Sequence, residues 1–349
     1  MSELNVNVAP SIAPSRRIWR RFRQNRSGYW SLIIFLILFV FSLAAELVSN
    51  DKPLVASYHG RLLFPVLHDY SEKTFDGDFE SPADYLDPFI EQQFKKDGNW
   101  AIYPLNRYHF DTLNYFAKAP NPAPPSSENW LGTDDRGRDV LARLLYGFRV
   151  SILFGLALTL TGVLLGVLAG ALQGYFAGRT DLLTQRVLEI WGSMPQLYLL
   201  IIFSSIFEPS IGLLLVLLSL FGWMSLSDYV RADFLRNRNL DFVQAARALG
   251  LSNLQIIWRH VLPNSLTSVV TFLPFSMSGA ILALTSLDFL GLGVPPSTPS
   301  LGELLAQGKN NLDAWWIALS TFVVLTLTLL LLTNIGDALR NALDVRRKA

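Results

Sequence analysis

The chain has 349 residues, of which 51% are hydrophobic and 16% are charged, and it contains no cysteine, which excludes disulfides and thiolate chemistry. The net charge of +1 says little, because charge is segregated along the chain. The apolar residues gather into blocks nearly free of charge, over 31–45, 151–171, 197–206, 211–226, 266–287 and 315–335. A helix needs about 20 mostly apolar residues to cross a bilayer. Most of the blocks reach that length once their flanks are counted, the 197–206 block by starting near Val187. So many blocks in one chain exclude a greasy soluble protein and predict an all-α polytopic membrane protein with six transmembrane helices.

Residues 1–28 read as a disordered start followed by a basic collar, Arg16, Arg17, Arg20, Arg21, Arg23 and Arg26. Such a cluster beside a span holds that end in the cytoplasm. The same arginines would suit nucleic acid, but their place against the first span favours topology; membrane lipid is an expected partner and nucleic acid is not. The first apolar run lacks a small-residue cleavage site and is followed by Glu46, so no cleavable signal peptide is expected. It gives a first transmembrane helix over 29–49.

A polar insert follows, with its boundary set at 50–145 and its polar run over roughly 50–139. It is acid-rich (Asp76, Asp78, Glu80, Asp84, Asp87, Glu91) yet studded with aromatics such as Phe75, Tyr85, Phe94 and Trp100. That many aromatics can form a small core, which predicts a folded lobe outside the membrane, tethered by the proline-rich run 120–125. Residues 129–141 read as an interfacial helix with polar caps.

The second span carries Gly162, Gly166, Gly170, Gly174 and Gly178, one every four residues. Glycines at that spacing make a smooth stripe on which another helix packs closely. Span three carries Glu189, three residues after Arg186. An intramembrane carboxylate is a functional candidate, here weighed against a helix-end ion pair with Arg186. Span four runs to Asp228 and Arg231. Span five ends at Asp288, which either faces a translocation path, where it would attract a peptide amine, or caps a solvated helix end. The last span leads into a basic tail, Arg346, Arg347 and Lys348. The core of spans two to six is placed at 146–338 and the cytoplasmic tail at 339–349.

Residues 239–264, the long polar connection between spans four and five, read as two short helices and a turn. Phe242, Ala245, Ala246 and Leu249 recur at helical spacing, giving one apolar face. Gly250 stands where a C-cap needs a left-handed residue. Ser252 and Gln255 form a capping-box pattern that starts the next helix. Leu254, Ile257, Trp258, Val261 and Leu262 lie on one side of that helix, and Pro263 is expected to end it. A compact element pinned between spans is suited to being gripped by a partner.

Gln244-Ala245-Ala246, Gly250 and Leu262-Pro263 resemble, in order and spacing, the loop pattern of bacterial ABC-importer permeases. In that family the pattern is Glu-Ala-Ala, three residues, Gly, nine residues, Ile, one residue, Leu-Pro. Here Gln244 replaces the Glu and His260 the Ile, and the run 259–264 is similar to the peptide-importer branch. The segments 129–141 and 336–344 resemble the oligopeptide and dipeptide C-type subunits. Residues 50–54 and 308–312, with the large insert, look closest to the Yej-type peptide importers.

The resemblance implies the type I, MetI-like permease fold with a periplasmic insert, in a bacterial inner membrane, with both termini cytoplasmic. It implies a second permease subunit as heterodimer partner, a cytoplasmic ATPase with two nucleotide-binding domains, and a periplasmic peptide-binding protein. The coupling residues would be Gln244, Ala245, Ala246, Arg247, Gly250, Leu262 and Pro263. No cofactor is expected on this chain, ATP being used by the partner ATPase. A nickel-chelate or sugar importer of the same family is the alternative substrate reading. An ion-coupled secondary transporter would need a charged path and commonly inverted repeats, and neither is visible.

The sequence also lacks the marks of an enzyme. Its one Gly-Lys pair, Gly308-Lys309, is followed by Asn310, with Glu303 where a phosphate loop requires glycine. The four histidines, His59, His68, His109 and His260, make no metal-ligand spacing, and no Gly-x-Ser-x-Gly elbow exists. No catalytic and no metal-binding residue is expected.

Overall fold

The longest helix starts where Asp139 accepts a hydrogen bond from Ala142 N–H at 2.8 Å, and it runs from Val140 to Phe176. At 1.5 Å per residue it is about 55 Å long, well beyond the roughly 30 Å hydrocarbon core. One end therefore meets the insert and the other meets the 239–264 element, on opposite sides of the apolar slab. The computed structural model describes residues 14–96, 98–113 and 119–343. The start of the chain to residue 13, Asp344 and the basic tail lie outside the described residues.

The helices in chain order are α1 (Pro14–Gln24), α2 (Arg26–Leu43), α3 (Ala45–Val48), α4 (Pro88–Phe94), α5 (Val140–Phe176), α6 (Gly178–Gly192) and α7 (Gln196–Ile206). There follow α8 (Ile211–Gly222), α9 (Met224–Asn237), α10 (Asp241–Ala248), α11 (Asn253–Ile256), α12 (Leu262–Phe289), α13 (Leu301–Asn310) and α14 (Trp315–Leu343). Five segments are long and apolar enough to cross a membrane: α2, α5, α8–α9, α11–α12 and α14. The pair α6–α7 makes the sixth, bent by 63° at its break. The break falls at Ser193–Pro195, where the proline withholds an N–H from the helix ladder. The third span is thus two half-helices and not one rod.

The glycine stripe is the seam of the bundle. A Cβ added at Gly166 would lie 2.9 Å from Trp223 O, at Gly170 2.5 Å from Ser227 O, and at Gly174 2.6 Å from Arg231 O. At Gly162 the nearest atom is Gly222 O, at 3.4 Å. At Gly166, Gly170 and Gly174 no larger residue fits while α5 and α9 stay this close, and Gln173 Nε2 donates to Ser227 Oγ across the same seam at 3.1 Å. Gly178 is not part of it: it lies past the end of α5 with a positive φ of 56° and open space around it. Gly155 belongs to a second close approach, where an added Cβ would lie 3.1 Å from Ile281 Cγ1 on α12.

The insert is not wholly helical. Three short strands, β1 (Val55–Tyr58), β2 (Arg61–Leu63) and β3 (Trp100–Ile102), form an antiparallel sheet in the order β2-β1-β3. Phe75 is fully buried beside it, edge-on to Tyr58 at 5.2 Å and to Tyr85 at 5.6 Å, with Ile90 and Phe94 of α4 closing the core. The lobe ends at Asp139, before the 145 boundary read from the sequence, because α5 already begins at Val140.

Residues 129–139 form a loop, not an interfacial helix, since their polar groups are spent on one buried network. Asp134 accepts from the backbone N–H of Arg136 and Arg138, at 3.0 and 2.9 Å, and from Arg138 Nε at 2.7 Å. Arg138 also donates to Pro296 O at 3.0 Å and to Glu303 at 3.2 Å. Burial alone would push the Arg138 guanidinium down, but Asp134 and Glu303 hold it above the usual arginine range. Arg143, fully buried on α5, pairs with Glu303 and donates to Phe110 O and Thr298 O, both at 3.2 Å. One network therefore ties the end of the insert, the start of α5 and the α12–α13 connection together.

At the opposite end, α1 packs on the last turns of α14, where Phe22, Ala338 and Ala342 are buried together. The 239–264 element lies at this end too, since Tyr175 near the end of α5 donates to Asn253 at 2.9 Å. Both described ends of the chain are on the same side as that element.

The seam makes a direct prediction. Gly170→Leu should overpack it by about 1–3 kcal/mol or more, whereas Gly212→Leu, with open space at its Cβ, should be tolerated. Thermal unfolding in detergent checks it: a clear fall in Tm for the first variant alone is expected. Equal Tm values would show that the close approach contributes nothing.

Candidate functional site

The 239–264 element is built from local signals and then fixed to the bundle. Gly250 adopts φ +81°, and Leu251 N–H bonds Ala246 O at 3.2 Å while Gly250 N–H bonds Arg247 O at 3.0 Å. These two bonds are a Schellman stop for α10. Ser252 then caps α11 reciprocally with Gln255: Ser252 N–H donates to Gln255 Oε1 at 3.0 Å and Gln255 N–H to Ser252 Oγ at 3.4 Å. Gln244 Nε2 donates back to Asn239 O at 3.1 Å, so the amide at this position closes the start of α10.

Pro263 does not end the second helix. A π-turn over Ile257–Val261, in which Leu262 N–H bonds Ile257 O, leads directly into α12, with Pro263 in its first turn. A proline is tolerated there, because the wide turn absorbs the ring and its missing N–H is not needed. The element and the fifth span are one helix, Asn253–Phe289.

The apolar residues divide between two faces. Val243 and Ala246 of α10, with Ile256, Ile257, Val261 and Leu262, are buried against Tyr175 of α5 and Val230 and Phe234 of α9. Phe242 and Ala245 point outward with Leu249, which is 82% exposed, Leu254, 66% exposed, and Trp258, 55% exposed. The single faces expected from periodicity are thus each split, because Val243 and Ile256 take the inward positions. Arg238 Nη1 donates to Tyr175 O at 3.0 Å, and the Arg247 guanidinium lies 5.9 Å from the Tyr175 ring centre. The inner face locks the element to α5 and α9; the outer face is an open apolar surface.

The two carboxylates singled out inside spans are both engaged. Glu189 pairs with Arg186 at 2.5 Å, and both are exposed on α6. Asp288 is buried, accepts from Val294 N–H at 2.8 Å and from the Ser300 hydroxyl, and so folds the α12–α13 connection onto the end of α12. Both oxygens of Asp288 are thus engaged within the α12–α13 connection. Among the described residues no group of three or more His, Asp or Glu is placed to hold a metal ion.

The comparisons with known proteins bear on this element. A family model described as the binding-protein-dependent transport system inner membrane component matches residues 162–349, which include the whole of 239–264. The chain belongs to this family. A second model, the N-terminal TM domain of oligopeptide transport permease C, matches residues 13–82. The permease is 53% identical to the inner membrane ABC transporter permease protein YejE of Escherichia coli (strain K12), over 93% of this chain and 95% of that protein. It is 48% identical to the peptidoglycan transport system permease protein YejE of Agrobacterium fabrum, over 97% and 95%. It is 28% identical to the dipeptide transport system permease protein DppC of Haemophilus influenzae, over the whole of both chains. It is a multi-pass inner-membrane protein and acts as the permease subunit of an ABC importer.

The two faces of the permease's element give opposite expectations. Ala246→Asp would bury an unpaired carboxylate in the cluster under α10, at a cost of several kcal/mol, of order 3 or more. Leu249→Asp stands on the open face and should leave stability unchanged. Tm in detergent distinguishes them, and a fall for Leu249→Asp equal to that for Ala246→Asp would contradict the division.

Proposed function

We propose that this permease is the C-type subunit of an ATP-driven peptide importer. It forms the translocation path with a second, different permease subunit and receives substrate from a periplasmic peptide-binding protein. A cytoplasmic ATPase with two nucleotide-binding domains drives it, this chain carrying no ATPase site and binding no cofactor. The observation that carries the reading is the outward apolar face of 239–264, held by its inner face to α5 and α9. A surface with Leu249, Leu254 and Trp258 turned to solvent is suited to a protein partner. Gln244, Ala245 and Arg247 flank that face; Ala246, Gly250, Leu262 and Pro263 shape and anchor it.

The mechanism follows from the attachment. Closure of the ATPase dimer displaces the gripped element, and α9, joined to it through the 238–240 turn, and the α11–α12 helix, continuous with it, carry the displacement across the bilayer. Alternate opening of the permease pair then passes peptide inward. The side of the membrane follows from the arginines: the α1 collar and the 239–264 element share one end, and that end is cytoplasmic. The Haemophilus relative, named for dipeptide transport, supports a peptide substrate, and the Agrobacterium relative, named for peptidoglycan transport, favours peptidoglycan fragments as a second reading.

Two measurements test the proposal. Leu249→Asp and Trp258→Asp together should lower ATP-dependent peptide import by about tenfold or more, with assembly to the ATPase lost or loosened, in a complex whose permease remains folded. Import and co-purification at wild-type levels would sink the coupling role. For orientation, Glu80→Cys in the insert should react with a membrane-impermeant thiol reagent added to intact spheroplasts. Reaction only after the membrane is opened would place the insert in the cytoplasm instead.

A further inference from the structure

A cavity of about 410 Å³ opens where the broken third crossing meets α5, α8–α9 and α12. Thr159, Gln196, Ser225 and Ser276 line it, with Gly192 and Gly279, and none of its lining residues is charged. Each of these four polar residues stands near the middle of its crossing segment, so the cavity lies at mid-membrane depth. The Thr159 hydroxyl is buried without a hydrogen-bond partner. Among the described residues, the side chains of Gln196, Ser225 and Ser276 make no hydrogen bond either.

At this depth an unpaired hydroxyl or amide facing lipid is costly, because hydrocarbon supplies no partner. Irregular backbone is likewise tolerated at membrane depth where it lines a cavity or is buried in protein. Here two irregularities flank the same space: the 63° break between α6 and α7, and Pro274 inside α12. Four unpartnered polar groups, one interrupted crossing and a proline-bearing helix therefore converge on one cavity of ligand size.

We propose that this cavity is a binding site for the main chain of the imported peptide, held by Thr159, Gln196, Ser225 and Ser276. The assignment rests on the peptide-import reading and adds the site and its chemistry. Hydroxyls and a carboxamide both donate and accept, which matches the N–H and C=O groups that every peptide carries. A lining without charge gives no preference between acidic and basic side chains. Gly192 and Gly279 leave room beside the polar groups, and a Cβ at Gly279 would meet no atom within 4 Å. The site takes peptides by what they share and leaves side-chain choice to other components.

The chain has no cysteine of its own, which makes single-cysteine labelling clean. Ser276→Cys and Ser225→Cys are introduced separately, with Phe322→Cys, exposed on α14 away from the cavity, as the control. The full complex is reconstituted and import of a radiolabelled casein digest is followed before and after treatment with a positively charged methanethiosulfonate reagent. Labelling at either cavity position should lower import by about tenfold or more, and labelling at Phe322→Cys should not. The peptide digest should also slow labelling of the cavity positions. Full import by labelled Ser276→Cys and Ser225→Cys would overturn the assignment and leave the import reading standing. Protection by the second permease alone, independent of peptide, would overturn it in favour of a subunit interface. Absence of import by the unsubstituted complex would overturn the import reading, and the assignment with it.

Discussion

The close approach of α5 to α9 is the constraint on which the rest depends. In lipid, apolar side chains gain little by leaving their surroundings, so helices associate through close packing and shared polar groups. Gly166, Gly170 and Gly174 let α9 come near enough for backbone contact, and Gln173 with Ser227 adds a hydrogen bond inside the seam. That approach brings Tyr175 and Phe234 together at one end, and these form the floor on which Val243, Ala246 and Ile256 rest. Were the seam wider, the 239–264 element would lose its support, and its outer face would have no fixed orientation to offer a partner.

The opposite end is fixed by charge and not by small residues. Asp134, Arg138, Arg143 and Glu303 form one buried cluster, and backbone carbonyls of Phe110, Pro296 and Thr298 take up further guanidinium donors. Buried ion pairs contribute little net stability compared with apolar packing, but removing one partner leaves a buried charge uncompensated. The cluster therefore serves mainly to specify how the insert, α5 and α13 meet. Asp139 belongs to the same region: burial pushes its carboxyl up, against hydrogen bonds from Asn129, Ala142 N–H and Asn106 that favour its charged form. A long helix with a polar clamp at one end and a packed element at the other suits the transmission of movement across a bilayer.

Features set by neighbouring residues were legible in the sequence. The left-handed Gly250 and the Ser252–Gln255 cap each depend on a few positions along one helix turn, and each is present; the glycine spacing spans several turns and holds as far as Gly174 but not Gly178. Periodicity named the apolar residues of α10 and α11 but not their direction, because both faces are apolar and only the location of α5 and α9 decides which is covered. Pro263 was misleading for a related reason: a π-turn is a small change in ladder geometry that no residue type announces. The Arg143–Glu303 pair was out of reach, since its members are distant in sequence and meet only when α13 folds back. The cavity at the α6–α7 break was hidden likewise, its four polar residues coming from four separate crossings.

The central claim is that the 239–264 element moves as one body with the ends of α5 and α9 and not as a loose loop. Spin labels on Leu254→Cys and Leu172→Cys, in a chain that has no other cysteine, report that relation directly by pulsed dipolar spectroscopy in the assembled complex. The distance distribution should be narrow and the same in the nucleotide-free and ATP-trapped states, while the distance from Leu254→Cys to the partner permease changes. A broad distribution, or one that shifts between Leu254→Cys and Leu172→Cys when nucleotide is trapped, would contradict the account.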